Sequence, residues 1–200
     1  MDKIPQKIRN NIEKITLLKT KISNWEKLKH DELFLLLKEF EKTPRLEVLN
    51  YYNVLFNDSV FSETLSKIYS RYKDDDKLVI LIISSLGNMI ERYALPETDD
   101  VYSVMIENSE RKNVGVYVAI FLPKMKLFEN YQDKWKYFIK IKDLSPKKIA
   151  ESSFEAVVDL YFNSIPNEYK DDVKNYYLSR AKVANNEYGK KYYLELAEKV

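Results

Sequence analysis

The sequence predicts an all-α protein, a right-handed α-solenoid (an α-α superhelix) of about five antiparallel helix pairs behind an N-terminal helical cap. Glycine and proline are scarce, with 3 Gly and 6 Pro among 200 residues, whereas all-β proteins and nucleotide-binding α/β domains need many glycine-rich turns. Apolar residues recur at helical spacing, and no segment sustains the alternation of a half-buried strand. A unit of two helices returns every 32 to 39 residues, which is the period of a helical repeat array.

The chain is expected to form one domain over residues 1–200, with residues 1–30 as the cap and residues 31–200 as the repeats. An amphipathic stripe predicts the cap and consists of Ile4, Ile8, Ile12, Ile15, Leu18 and Ile22. A terminal unit of a solenoid has to cover the apolar end of the stack. We therefore interpret this segment as a cap in preference to a detachable helix that binds a partner.

Local signals mark the boundaries of the paired helices. Thr43-Pro44 and Ser145-Pro146 each combine a favoured N-cap residue with a proline at the first helical position. Acidic turns at 74–76 and 99–100 precede helices, where negative charge complements the helix dipole. The turn at 74–76 lacks the ligand pattern of a calcium loop. The predicted pairs are 31–42 with 44–57, 62–73 with 77–93, 99–108 with 112–126, 132–141 with 146–162, and 168–184 with 186–198.

The second helices of the pairs align on two apolar positions that lie eight residues apart. The first of these positions holds Leu46, Leu78, Val114, Ile149 and Tyr188, and the second holds Val54, Leu86, Leu122, Val157 and Leu196. All three glycines of the chain fall inside these second helices. Because glycine costs a helix up to about 1 kcal/mol relative to alanine, we attribute them to the close approach of a neighbouring helix.

The repeated unit resembles the HEAT-like repeats of the armadillo/HEAT class of helical-repeat proteins. The resemblance is carried by a polar turn that leads into an apolar second helix, as in DDDKLVILIISSLGNMI, ENSERKNVGVYVAIFL, LSPKKIAESSFEAVVDLYF and NNEYGKKYYLEL. It covers about residues 31–200, and the Trp, Gly, Tyr and Ala pattern of tetratricopeptide repeats is absent. The resemblance implies that the second helices line a concave binding surface.

Composition excludes most catalytic chemistries. The chain has no Cys and a single His, His30, so it offers no thiolate nucleophile and no site built on two imidazoles. No glycine-rich phosphate loop, nucleophile elbow or H-E-x-x-H motif occurs. We interpret His30 as a solvated or helix-capping residue, and a site made of converging carboxylates alone stays open. We expect a protein that is not an enzyme and has no cofactor and no metal.

The chain is also expected to be cytoplasmic and to have no membrane partner. Its longest apolar run, 78–83, is too short to cross a bilayer, and its N-terminus lacks the apolar segment of a signal peptide. The net charge of +2 does not by itself point to a polyanionic partner.

An acidic stripe is the strongest candidate binding feature. Glu151, Glu155 and Asp159 follow one another at four-residue intervals on a predicted helix, which places three carboxylates on one side. Such a stripe is locally unfavourable unless cations offset it, and a cationic peptide or protein would do so. The alternative is a solvated surface that is neutralised by Lys147, Lys148, Lys190 or Lys191.

Tyrosines crowd the last helix pair, at positions 169, 176, 177, 188, 192 and 193. Tyrosine favours interfaces because it buries a large area while keeping a polar hydroxyl. These residues either contribute to an interface or close the C-terminal end of the core with their hydroxyls at its rim.

The sequence therefore predicts a non-catalytic protein-binding module or scaffold, with a bacterial toxin-neutralising immunity protein as a specific form. The candidate protein-binding residues are Asn88, Arg92, Lys124, Glu151, Glu155 and Asp159. The alternative is a nucleic-acid-binding or DNA-repair protein of the HEAT-like glycosylase type, which would need a basic groove. Nucleic acid is the less favoured partner, because the acidic stripe lies where that groove should be positive.

Overall fold

The computed structural model describes residues 4–47 and 49–200, and within them every regular element is helical and no strand occurs. The expected all-α class is confirmed for this part of the chain. Its α-helices are α1 Gln6–Ser23, α2 His30–Glu41, α3 Asn53–Phe56, α4 Ser59–Tyr72, α5 Asp76–Tyr93, α6 Asp99–Asn108, α7 Gly115–Phe121, α8 Lys134–Ile141, α9 Lys147–Tyr161, α10 Asn167–Val183 and α11 Glu187–Lys199. Short 3-10 turns lie at Trp25–Lys27, Thr43–Arg45, Asn50–Tyr52, Leu122–Lys124, Lys126–Phe128 and Phe162–Ser164.

Side-chain caps explain why several helices begin where the sequence predicts. The Asp75 carboxylate accepts hydrogen bonds from the backbone N–H groups of Lys77 and Leu78 and so begins α5. Thr98 caps α6 and Asn186 caps α11 in the same way, each through one backbone N–H group. The acidic turn before α5 is therefore a cap, as the sequence indicated.

The predicted helix over 44–57 is wrong. Two 3-10 turns and the four-residue α3 occupy this stretch, and the backbone at Leu46 and Leu49 is extended; residue 48 lies outside the described residues. The buried Thr43 hydroxyl donates to the Phe40 carbonyl, so Thr43-Pro44 ends α2 instead of beginning a helix. Val54, which the repeat alignment placed in the core, is 84% exposed.

The repeat alignment holds best in the middle of the chain. Leu78, Leu86, Val114 and Leu122 are all fully buried, whereas Tyr188 is 81% exposed. The predicted helix over 112–126 is shorter than expected, because α7 ends at Phe121 and a 3-10 turn that contains Pro123 follows it. The solenoid arrangement and the number of helix pairs stay predictions.

The chain divides into two compact units, and the boundary falls between Asn130 and Tyr131. In the first unit, α5 is the central helix and contacts α2, α4 and α7. The predicted cap helix α1 buries Ile15, Leu18 and Ile22 and contacts α2, α3 and α4, while residues 1–3 of the predicted cap lie outside the described residues. In the second unit, α8 contacts α9 and α10, and α10 packs along α11. The expected single domain over 1–200 stays a prediction.

Each unit contains one of the two tryptophans of the chain. Trp25 meets the ring of Tyr72 edge-on in the first unit, at a centroid distance of 6.3 Å. Trp135 is buried in the second unit between Phe138 and Tyr169. Both indole rings therefore pack on aromatic side chains of their own unit.

Gly87 shows why α5 carries a glycine in its middle. A Cβ atom at this position would lie 2.3 Å from two ring carbons of Phe121, so the absence of a side chain lets the ring of α7 rest directly on the α5 backbone. The close approach inferred from the sequence therefore occurs at this glycine.

We expect Gly87→Ala to lower the free energy of unfolding by about 1–3 kcal/mol, because the new methyl group overpacks the contact with Phe121. Helix propensity alone predicts the opposite sign, a gain of up to about 1 kcal/mol. Chemical denaturation of the variant and the parent distinguishes the two. In a Phe121→Ala background the same substitution should become stabilising, and continued destabilisation there would contradict the proposed contact.

Candidate functional site

Three of the predicted site residues, Asn88, Arg92 and Lys124, lie in the first unit, and each makes a hydrogen bond or an ion pair within that unit. Asn88 is buried, and its side-chain amide donates to the Ser84 carbonyl at 2.7 Å. Arg92 is exposed and donates to the Arg45 carbonyl at 3.1 Å. Buried as it is, Asn88 presents little surface to any partner.

Lys124, the third of these residues, lines a cavity of about 530 Å³ between α5 and the turns that follow α7. The lining is mainly apolar and includes Ile90, Leu95, Phe121, Met125 and Leu127. Lys124 pairs with Glu91 at 2.7 Å at this cavity. The Glu97 carboxylate accepts from the backbone N–H groups of Lys126 and Leu127, at 3.0 Å each. The two acidic side chains of the lining therefore already have partners.

The acidic stripe lies in the second unit, and two of its three carboxylates are engaged inside that unit. The Arg180 guanidinium of α10 donates to Glu151 at 2.8 Å, and its Nε atom lies 3.5 Å from a carboxylate oxygen of Glu155. The side chains of Glu151 and Arg180 retain 19% and 27% of their exposure, so water screens this pair only in part. Arg180, which the sequence analysis did not single out, is the cation that offsets the stripe.

Two tyrosine hydroxyls complete the environment of Glu155. The Tyr176 hydroxyl donates to this carboxylate at 2.9 Å, and the Tyr193 hydroxyl lies 3.2 Å from the same oxygen. Burial and the Glu155 charge raise the pKa of Tyr176 well above its ordinary value, so the hydroxyl stays protonated and remains a donor. The tyrosines at these two positions therefore belong to the rim of the core.

Three of the four lysines considered as neutralising partners of the stripe have other contacts. Lys147 donates to the Lys142 carbonyl at 2.7 Å. Lys190 pairs with Glu187 and Lys191 with Glu195, both at 3.8 Å on α11. In the described residues, the ion pairs of the stripe are made by Arg180 alone.

Asp159 differs from the other two stripe residues. It is exposed, and no hydrogen bond or ion pair reaches its carboxylate within residues 4–47 and 49–200. Burial raises the pKa of Tyr192, and the charges of Asp159 and Glu155 raise it further. Tyr188 lies one helical turn before Tyr192 and is 81% exposed, against 45% for Tyr192. We call Asp159, Tyr188 and Tyr192 the outer face of the second unit.

His30, the only histidine, begins α2 and contacts the cap of α5. Its Nε2 atom lies 2.7 Å from a carboxylate oxygen of Asp75, and its Nδ1 atom lies 3.3 Å from Asp31. The hydrogen bond to Asp75 is the main cause that raises the pKa of His30 above its ordinary value. His30 is therefore a half-exposed structural contact between two helix starts, made to Asp75, the residue that caps α5.

Metal-binding groups and membrane-spanning helices are absent from the described residues. Among them, no group of three or more His, Asp and Glu side chains is arranged to hold a metal ion. None of their helices combines the length and the apolar character needed to cross a membrane.

We expect Glu151→Lys to lower the free energy of unfolding by about 1–3 kcal/mol, because it sets a second cation against the part-buried Arg180 guanidinium. Asp159→Lys is the matched control and should change the stability by less than about 0.5 kcal/mol, since its carboxylate is exposed and unpaired. Urea denaturation of both variants measures the difference. Equal effects of the two substitutions would contradict the assigned pairing.

The contact between His30 and Asp75 should make stability depend on pH. Folding raises the pKa of His30 above its ordinary value of 6.5. The contact therefore adds its full share to the free energy of unfolding below pH 6.5, and this share is lost as the pH rises through the folded-state pKa. Denaturation of the parent and of His30→Gln at about pH 5.5 and pH 8.5 checks this sign. The free energy of unfolding of the parent should exceed that of the variant at the lower pH, and this difference should vanish at the higher pH. An equal difference at the two pH values would be inconsistent with a charged contact.

No protein family, curated protein or solved structure matches this chain. The HEAT-like character inferred from the repeated unit therefore stays a prediction.

Proposed function

We propose that the protein is a non-catalytic protein-binding module that recognises a basic protein partner through the outer face of its second unit. One observation carries the proposal: Asp159 is an exposed carboxylate without an ion-pair partner in the described residues, and it belongs to the same compact unit as the exposed rings of Tyr188 and Tyr192. Exposed tyrosines supply contact area at a small cost in conformational entropy, and they are enriched where proteins bind one another.

The charge of the stripe supports a basic partner. Three carboxylates follow one another along α9, and the cation bound to them is the single guanidinium of Arg180. The surplus negative charge attracts a cationic surface and steers its approach. Glu151 and Glu155 contribute to this field while their carboxylates hold α10 and α11 in place, so Asp159 is the residue of the stripe that meets the partner.

A toxin-neutralising immunity protein is a specific form of this function. Such a protein acts by covering the surface of a toxin, which requires an exposed and complementary face and no catalytic group. The proposal extends to a HEAT-like solenoid whose second helices present the binding residues, as the repeated sequence unit implies.

The nucleic-acid alternative has a weaker basis in the charges of the second unit. The last two helices carry the Lys-Tyr segments KNYY and GKKYY, on which the bases of a single-stranded nucleic acid could stack. Lys190 and Lys191 each lie within 4 Å of a glutamate of the same helix, which reduces the positive potential that a phosphate backbone would meet.

Affinity capture from a lysate of the source cells tests the proposal. The intact chain is compared with Asp159→Lys and with the control Asp171→Lys, which reverses the charge at another exposed position in the same unit. We expect a basic protein to be retained by the parent and by the control, to be lost with Asp159→Lys, and to be released by salt.

Two outcomes of this experiment would contradict the proposal. Retention of the same proteins by both charge-reversed variants would exclude the outer face as the binding surface. Nucleic acid that co-purifies with all three proteins and disappears after nuclease treatment would favour the alternative function.

A further inference from the structure

We infer that the cavity between α5 and the turns after α7 binds a small anionic amphiphile, a carboxylate with an aliphatic tail. The tail occupies the apolar part of the cavity, and the carboxylate binds the ammonium group of Lys126. All the residues that line this cavity belong to the first unit. The site is therefore separate from the outer face and does not depend on the proposed function.

The size and the lining of the cavity suit a small molecule with an apolar body. Its volume of about 530 Å³ lies within the range of about 300–1,000 Å³ that small-molecule sites occupy. Leu95 and Met125 are buried residues of the lining, whereas Leu127 keeps 41% of its surface exposed there. An aliphatic tail in the cavity would remove part of this apolar area from water, which favours binding.

Contacts within the chain hold the walls of the cavity in place. The Glu97 carboxylate, in the segment between α5 and α6, accepts hydrogen bonds from the backbone N–H groups of Lys126 and Leu127 at 3.0 Å each. On the α5 side, the Phe121 ring rests on the backbone of Gly87. Because these walls are already ordered, a ligand loses little affinity to the ordering of the site.

The charged residues of the lining favour an anionic head group. Glu91 is paired with Lys124 at 2.7 Å, and each carboxylate oxygen of Glu97 accepts one backbone N–H group. Lys126 is exposed, and no ion pair or hydrogen bond reaches its ammonium group within the described part of the chain. The ammonium of Lys126 is therefore available to a carboxylate, whereas it would repel a cationic head group.

Titration calorimetry on the full chain tests the inference with ligands that share one tail. Octanoate is compared with octan-1-ol and octylammonium, which differ from it in the charge of the head group. We expect saturable binding of octanoate, about two- to fivefold weaker binding of octan-1-ol because an exposed ion pair adds little, and no saturation with octylammonium. Hexanoate, which is two methylene groups shorter, should bind roughly tenfold more weakly than octanoate.

A matched pair of lysine variants tests the head-group contact. Lys126→Gln should lower the affinity for octanoate to that for octan-1-ol, a loss of about two- to fivefold, and should leave the affinity for octan-1-ol unchanged. Lys38→Gln is the control, since Lys38 is an exposed lysine of α2 that does not line the cavity. It should change neither affinity.

A matched pair of leucine variants tests the position of the tail. Leu127→Asp places a carboxylate in the apolar lining and should weaken octanoate binding at least about tenfold. Leu35→Asp, at a 59% exposed position of α2 outside the cavity, should leave it unchanged. Because both leucines are exposed, both variants should keep the fold, which circular dichroism checks.

Three results would overturn the inference. These are the absence of saturable octanoate binding, equal affinities for octanoate and octylammonium, and an octanoate affinity that either Lys126→Gln or Leu127→Asp leaves unchanged. Asp159→Lys, the variant that tests the proposed function, changes the second unit and should bind octanoate as the parent does.

Discussion

The guanidinium of Arg180 is the interaction on which the geometry of the candidate site depends. It projects from α10, binds Glu151 of α9 and covers the ring of Tyr193 on α11, so one side chain joins three helices. The tyrosine hydroxyls around Glu155 complete this cluster. These groups also join α9, which carries Asp159, to α11, which carries Tyr188 and Tyr192.

The first unit depends on a different constraint, which is the burial of α5. This helix carries an almost continuous run of buried residues, and it accepts the Phe121 ring where Gly87 has no side chain. Its first turn is capped by Asp75, whose second carboxylate oxygen is bound to His30. A helix that is apolar on nearly all sides needs neighbours on nearly all sides, and α2, α4 and α7 supply them.

Local signals predicted some elements well and others badly, for identifiable reasons. The sequence predicts α6 at 99–108, as observed, because the acids at 99–100 complement the start of a helix; the Thr98 cap was found only in the structure. Thr43-Pro44 is a similar signal, but a proline fits the first turn of a 3-10 segment as well as that of an α-helix, and packing of this turn on α5 decided the outcome. The spacing of the stripe on α9 was readable, whereas its cation comes from Arg180, 29 residues after Glu151, with no local signal for the contact. The one available hint was composition, since Arg180 is the only arginine after residue 130 in a segment that otherwise uses lysine.

The placement of one indole ring in each compact unit gives the molecule two separate optical reporters. Trp135 is almost fully buried and Trp25 is half-buried, so their emission spectra should differ in the native state. Replacing either ring by phenylalanine leaves a chain whose fluorescence reports on a single unit. The midpoints of the two denaturation curves then measure whether the units unfold together or in sequence.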